Sequence, residues 1–209
     1  LYVGGRQVRP DGGYSRPIAA VNNSLAGEVG EGNRKDIRNA VEAAHAAASW
    51  GRSSAHGRAQ VLFFLAENLE ARASEFSQRI RKLAGTDGEQ EVHAAIARLL
   101  YYAGWCDKFE GVVHHAPAGR IVFAMPEPIG VMGLVCPQSH PLLGLVSMLA
   151  PAIAVGNTTV VIPSEEVPLV ATDFYQVLDT SDVPAGVVNI ITGSRPELAK
   201  ELAQHDNVD

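Results

Sequence analysis

Val131-Met132-Gly133-Leu134-Val135 and Thr158-Thr159-Val160-Val161-Ile162, with the apolar stretch Pro141 to Val155 between them, decide the fold. Both runs are apolar or β-branched throughout and bounded by turn residues, Gly130 ahead of the first and Gly156-Asn157 ahead of the second. Strands covered on both faces read this way, because neither side has to meet water. The stretch between them reads as a helix of small residues. Downstream, Pro168 to Leu178 reads as helix, Val187 to Ile191 as strand and Pro196 to Gln204 as helix. Such alternation predicts an α/β fold whose strands run parallel through right-handed crossovers.

Upstream the charge thins out. From Ile121 to Pro163 the only formally charged side chain is Glu127, so the segment is expected inside the protein, and Ile121-Val122-Phe123-Ala124 reads as another strand covered on both faces. Before it the chain reads as helical. Asn33 with Asp36 three residues on predicts a capped start, followed by Ile37, Ala40, Val41 and Ala44 at helical spacing and an end near Trp50-Gly51. A second helix starts around Ser53 or Ser54 and carries Val61, Leu62, Leu65 and Leu69; a third carries Phe76, Ile80 and Leu83 and is closed by Gly85. A fourth runs from about Glu89 to Phe109 with Ile96, Leu99, Leu100 and Ala103 inward. Trp50, Phe63, Phe64 and Trp105 read as core. The first ~30 residues, with turn signals at Gly4-Gly5, Asp11-Gly12-Gly13 and Asn22-Asn23, read as an arm of small strands or loops.

With 209 residues, 46% apolar and 19% charged, the chain is neither disordered nor fibrous. Seventeen basic against 23 acidic side chains give −6, and the basic ones are scattered, so nucleic acid is not an expected partner. Cys106 and Cys136 make no disulfide framework and have no second ligand at zinc spacing, which points to a reducing compartment and a cytoplasmic protein. His114 and His115 point to opposite faces of a strand with no third ligand in step, so no metal site is expected. The apolar stretch Leu142 to Val155, interrupted by Ser147 and Pro151, is shorter than the roughly 20 residues a bilayer needs, so no membrane span is expected. The chain opens at Leu1 without a basic-then-apolar leader and reads as a cut start with no signal peptide.

An open parallel sheet leaves a crevice beyond the carboxyl ends of its strands, so the candidate site residues are those that follow each strand. They are Cys136-Pro137-Gln138-Ser139-His140, Pro163-Ser164-Glu165-Glu166 and Thr192-Gly193-Ser194-Arg195. None of these turns contains Gly-x-Gly-x-x-Gly or Gly-x-x-x-x-Gly-Lys-Ser/Thr, so a dinucleotide would have to be held by other means. Cys136 and His140 suggest a thiol and base, but no third group orients the base, and a buried thiol behaves as a small hydrophobe. Cys106, beside Trp105 in a helical pattern, reads as packing.

Tyr101-Tyr102-Ala103-Gly104-Trp105-Cys106-Asp107-Lys108, Glu127-Pro128-Ile129-Gly130-Val131, Pro137 to Leu143, Gly156-Asn157-Thr158, Pro163 to Pro168 and Pro184-Ala185-Gly186-Val187-Val188-Asn189 follow one another in a familiar order. In order and spacing they resemble the aldehyde dehydrogenase superfamily over nearly the whole chain. The resemblance implies the first half of that fold's open, parallel, Rossmann-like sheet. It divides the chain into an arm (1–32), a helical part of the cofactor-binding domain (33–111), bridging strands of an oligomer (112–130) and an incomplete Rossmann-like unit (131–209). It also implies NAD or NADP as coenzyme, touched at Val135, Cys136, Pro137, Gln138, Ile162, Ser164, Glu165 and Gly193. The expected partner is a second copy or a sister aldehyde dehydrogenase module.

Departures from the family pattern change the functional expectation. Where the family follows the first strand with Pro-Trp-Asn-Phe-Pro, this chain has Pro137-Gln138-Ser139-His140-Pro141, so Ser139 stands at the asparagine that donates to the oxyanion of the thiohemiacetal, and losing one such donor typically removes about 2.7–4 kcal/mol of transition-state stabilisation. Ile162 stands where a lysine binds the adenosine ribose; a hydrogen bond to a charged group is worth about 1.5–3 kcal/mol. Glu165 survives at the ribose position, while the family's later glycines of the third turn fall on Arg195 and Ala199. The family's catalytic cysteine and general-base glutamate follow the point where this sequence stops, so the chain is expected to be inactive alone, and a sheet cut after its third core strand is expected to be unstable or to self-associate. Asn189 reads as structural. Two functions follow: a degenerate module kept for assembly, which the paired departures favour, or part of an active NAD(P)-dependent enzyme oxidising an aldehyde to a carboxylic acid.

Overall fold

The computed structural model describes residues 1–109, 111–117 and 119–209, leaving Glu110 and Ala118 outside the described residues. Tyr2–Val3 (β1), Arg6–Gln7 (β2), Ser15–Ala19 (β3) and Leu25–Gly30 (β4) form the arm, and α1 then spans Arg34–Ala46. Asn33 caps α1: its side chain accepts from Lys35 and Asp36 N–H, while the Asp36 carboxylate accepts from Asn33 N–H, the reciprocal box expected from that spacing. The helix stops at Ala46 and a separate 3₁₀ turn, Ala48–Arg52, carries the chain past Trp50, so the single helix expected there is two elements. Ala55–Ala71 (α2), capped by Ser54, Ala73–Ala84 (α3), closed by left-handed Gly85, and Gly88–Trp105 (α4), capped by Asp87, follow.

Val112–Ala116 (β5) and Arg120–Ala124 (β6) pair antiparallel as a hairpin of their own. The expectation of a strand covered on both faces fails here, because every residue of β6 is exposed within the chain, with Ile121 at 70% and Phe123 at 65%. Uncharged composition marked a surface that this chain leaves bare. Leu100, Phe63, Phe64 and Trp105 are likewise 36–43% exposed rather than core, whereas Trp50 is buried and donates its indole N–H to Ile153 O. The fourth helix ends at Trp105, short of Phe109.

The remaining elements alternate as expected: Val131–Val135 (β7), Pro141–Ala154 (α5), Thr158–Ile162 (β8), Pro168–Asp179 (α6), Val188–Ile190 (β9) and Arg195–Ala203 (α7). Strands β7, β8 and β9 run parallel in register, Val131 against Thr158 and Thr159 against Val188. The sheet order is β2-β1-β9-β8-β7, so the arm's β1 joins antiparallel along β9, and β7 stands at the other end of the sheet, where Asp209 N–H donates to Val131 O at 3.0 Å. Asn189 holds the β1–β9 junction, accepting from Gly4 N–H and donating to Thr159 O and Gly186 O. One apolar layer under α2–α6 contains Leu62, Phe76, Leu145 and Phe174; a smaller one, between the sheet and α1 and α7, contains Ile37, Val160 and Leu198. No helix among the described residues is long and apolar enough to cross a membrane.

Candidate functional site at the strand tips

The first tip leaves β7 by Cys136, whose N–H continues the ladder to Ile162 O at 2.8 Å. Cys136 is 1% exposed and burial pushes its thiol up to about 12, while His140 lies on the surface with its backbone in the left-handed region at φ 54°. The two side chains therefore sit in different environments, and the thiol stays protonated. Ser139 is exposed and, with Pro137, His140, Leu143 and Ser147, lines an open cleft of about 290 Å³ on the first turns of α5. Cys106 is also buried and donates to Tyr102 O.

Helix α5 begins after His140 with no cap from its own turn. Glu91, from α4, supplies one: its Oε1 accepts from Leu142 N–H at 2.8 Å and Leu143 N–H at 3.1 Å, while the side chain is 4% exposed and Oε2 has no partner among the described residues. Glu91 was not among the sequence candidates. The signal was there: it shares a helical face with Ala95, Leu99 and Ala103, all buried, and a charge on such a face needs a partner.

At the second tip, Ile162 is 1% exposed inside the smaller apolar layer, so it offers a ligand no polar atom. Gln138 reaches across from the first tip. Its Oε1 accepts from Ser164 Oγ at 3.1 Å, Glu165 N–H at 2.9 Å and Glu166 N–H at 3.3 Å, and Ser164 Oγ in turn accepts from Val167 N–H. The Glu165 carboxylate turns to the third tip, where Oε2 accepts from Arg195 N–H at 3.0 Å at the start of α7. The Glu165 carbonyl accepts from Arg16 of β3, which is also paired with Glu31.

Gly193 is buried with φ 151°, and a Cβ there would lie 3.0 Å from Leu198 Cδ1 and 3.1 Å from Gly32 N and O. Its missing side chain makes room for the arm. Gly32 N–H donates to Thr192 O at 2.8 Å and Thr192 Oγ1 to Gly30 O at 2.8 Å, so residues 30–32 are strapped over the end of β9. The structure thus brings Gln138, Ser164 and Glu165 together, buries Cys136 and Ile162, and leaves Ser139 apart on the surface. Among the described residues no cluster of His, Cys, Asp or Glu could hold a metal ion.

The sequence pattern of the aldehyde dehydrogenase family matches residues 10–209. The chain belongs to that family. It is 35% identical over 194 residues to human retinaldehyde dehydrogenase 3, covering 87% of this chain and 37% of that protein. It is 30% identical over 220 residues to human cytosolic 10-formyltetrahydrofolate dehydrogenase, covering all of this chain and 24% of that protein. Among solved structures, a point mutant of betaine aldehyde dehydrogenase from Staphylococcus aureus in complex with NAD+ superposes with TM-score 0.96 at 25% identity, over 100% of this chain and 44% of that one. The aldehyde dehydrogenase of Bacillus cereus does so with TM-score 0.95 at 26% identity and the same coverage. The chain therefore spans less than half the length of these relatives. Its arm, helical layer and parallel strands are those of the aldehyde dehydrogenase fold.

Proposed function

We propose that this part of the protein is an aldehyde dehydrogenase module that keeps the fold for assembly and has given up its grip on the coenzyme. One observation carries the reading: at each of the three strand tips, backbone N–H groups are taken up by side chains from within the chain. Glu91 caps α5, Gln138 and Ser164 hold the turn leading into α6, and Glu165 caps α7. Helix N-termini are where such sheets seat phosphate groups, and here N–H groups at the starts of α5 and α7 and in the turn before α6 carry internal partners. Ile162 adds no donor, and the Ser139 hydroxyl is a shorter donor than the amide it replaces. In this reading residues 1–32 are an arm, 33–111 the helical part, 112–130 bridging strands and 131–209 the Rossmann-like unit. The partner is a second copy or a sister module, in the cytoplasm.

A second reading rests on the Glu165 carboxylate, which stands where the resemblance places the ribose-binding glutamate and whose Oε1 makes no hydrogen bond among the described residues. In it the chain is part of an active NAD(P)-dependent enzyme, with Ser139 and Ile162 as tolerated variants. Titration of the intact protein with NAD+ by calorimetry separates the two. The assembly reading expects no heat at micromolar coenzyme; micromolar uptake, with a cysteine at the family's nucleophile position and a glutamate in its Glu-Leu-Gly-Gly block, establishes the second.

A further inference from the structure

Glu165, the one ribose-position side chain that survives, is held at three points by three different parts of the chain. Its N–H goes to Gln138 Oε1, its carbonyl to Arg16 Nη2 at 2.6 Å and its carboxylate to Arg195 N–H. Only the first of these contacts joins the β7 tip to the β8 tip, and it is made by a residue that departs from the family pattern, where the resemblance places tryptophan. An amide oxygen can accept two good hydrogen bonds. Gln138 Oε1 has three donors converging on it, two of them successive backbone N–H groups, while Ser164 Oγ also lies 3.1 Å from Gln138 O. A tryptophan side chain has no acceptor and cannot make this bridge.

We propose that Gln138 is an internal latch, an autoinhibitory contact that ties the β7 tip to the β8 tip and places its own oxygen on N–H groups that would otherwise be open to an acidic oxygen of a nucleotide. This deepens the assembly reading and rests on it, because it names a residue that blocks coenzyme where weakened contacts alone would only loosen it. The latch also explains why Ser164 is buried although its turn lies at a ligand-facing edge: the hydroxyl is consumed between Gln138 and Val167 N–H.

The test uses the intact protein as wild type and as Gln138→Ala, Gln138→Met and Gln138→Glu. Amide exchange at Glu165 and Glu166 is expected to quicken about fivefold in the Ala and Met variants, the loss of one ordinary hydrogen bond, and to be restored by Glu, which keeps an acceptor at the same reach. Leu142 and Leu143, held by Glu91, are expected to keep their protection. Retained protection in the Met variant, or equal loss at Leu142 and Leu143, overturns the latch. In calorimetry with ADP-ribose as probe, Gln138→Ala is expected to gain binding that wild type lacks. No uptake by either protein overturns the latch and leaves the assembly reading standing; tight uptake of ADP-ribose and NAD+ by wild type overturns both.

Discussion

Cys136 shows how burial decides chemistry at one residue. An unfolded thiol ionises near pH 9, and in the folded chain burial holds this one back to about 12. Because the folded value is the higher one, the stabilisation is complete below pH 9 and is lost as the pH rises toward 12. Cys106 shifts in the same direction for the same reason, and the buried Tyr175 and Tyr2 follow only above pH 10. Between pH 9 and 10 the thiols therefore dominate. Urea unfolding at pH 8, 9 and 10 is expected to show stability falling with pH, by at most about 1.4 kcal/mol per unit for one thiol, and falling less steeply in Cys136→Ala. An unchanged slope in that variant would mean the thiol is not sheltered. Glu91 makes the complementary case for a buried charge with a duty. Glu91→Ala is expected to cost about 2 kcal/mol in urea unfolding, because two helix N–H groups lose a charged acceptor, and Glu91→Gln about half of that. Equal costs for the two variants would show that packing, and not the cap, is what Glu91 supplies.

Among elements, those with strong local signals were legible and those made by distant pairing were not. The caps at Asn33 and Ser54, the left-handed stop at Gly85 and the parallel strands all follow from spacing, because each depends on neighbours in the chain. Strand β1 is two residues long, and its place against β9 depends on Asn189 and on Tyr2, whose hydroxyl donates to Asp179 at 2.7 Å. No periodicity announces such a strand. Helix faces were misread where apolar residues run round the helix: Phe63 and Phe64 adjoin Leu62 and Leu65, and only the latter pair point inward. At the site, the candidate turns were found from strand order alone, whereas the bonds among Gln138, Ser164 and Glu165 depend on side chains meeting across 26 or 27 residues. The strapped arm invites a double-mutant cycle. Gly193→Ala and Gly32→Ala each force a Cβ against backbone, the latter 2.9 Å from Thr192 O, and each is expected to cost about 2 kcal/mol. Since both changes lift the same strap, the double variant should cost less than the sum; simple additivity in denaturant unfolding would show that the arm and the β9 turn yield independently.

For the molecule as a whole, the β5–β6 hairpin is the least self-sufficient part. A lone two-stranded hairpin is at best marginally stable in water, and this one shows apolar side chains on both faces. Val113, Ile121 and Phe123 share one face at 65–70% exposure, and Val112 and Val122 share the other at 46–55%. Tyr101, Trp105 and Phe109, in successive ring contacts, add exposed apolar surface along and just beyond the end of α4. Exposed apolar surface of this kind is typical of interaction sites. If the bridging strands are what assembles this protein, charges on one hairpin face should remove assembly and spare the fold. Sedimentation equilibrium of wild type is expected to show association, and Ile121→Asp combined with Phe123→Asp should shift it to monomer with an unchanged far-ultraviolet spectrum. Because both positions are exposed within the chain, the variant monomer should unfold near the midpoint of dilute wild type, whereas the wild-type midpoint should rise with concentration by mass action. A variant that stays associated would move the interface away from the hairpin, and one that loses its helical spectrum would mean that these strands support the chain from which they project.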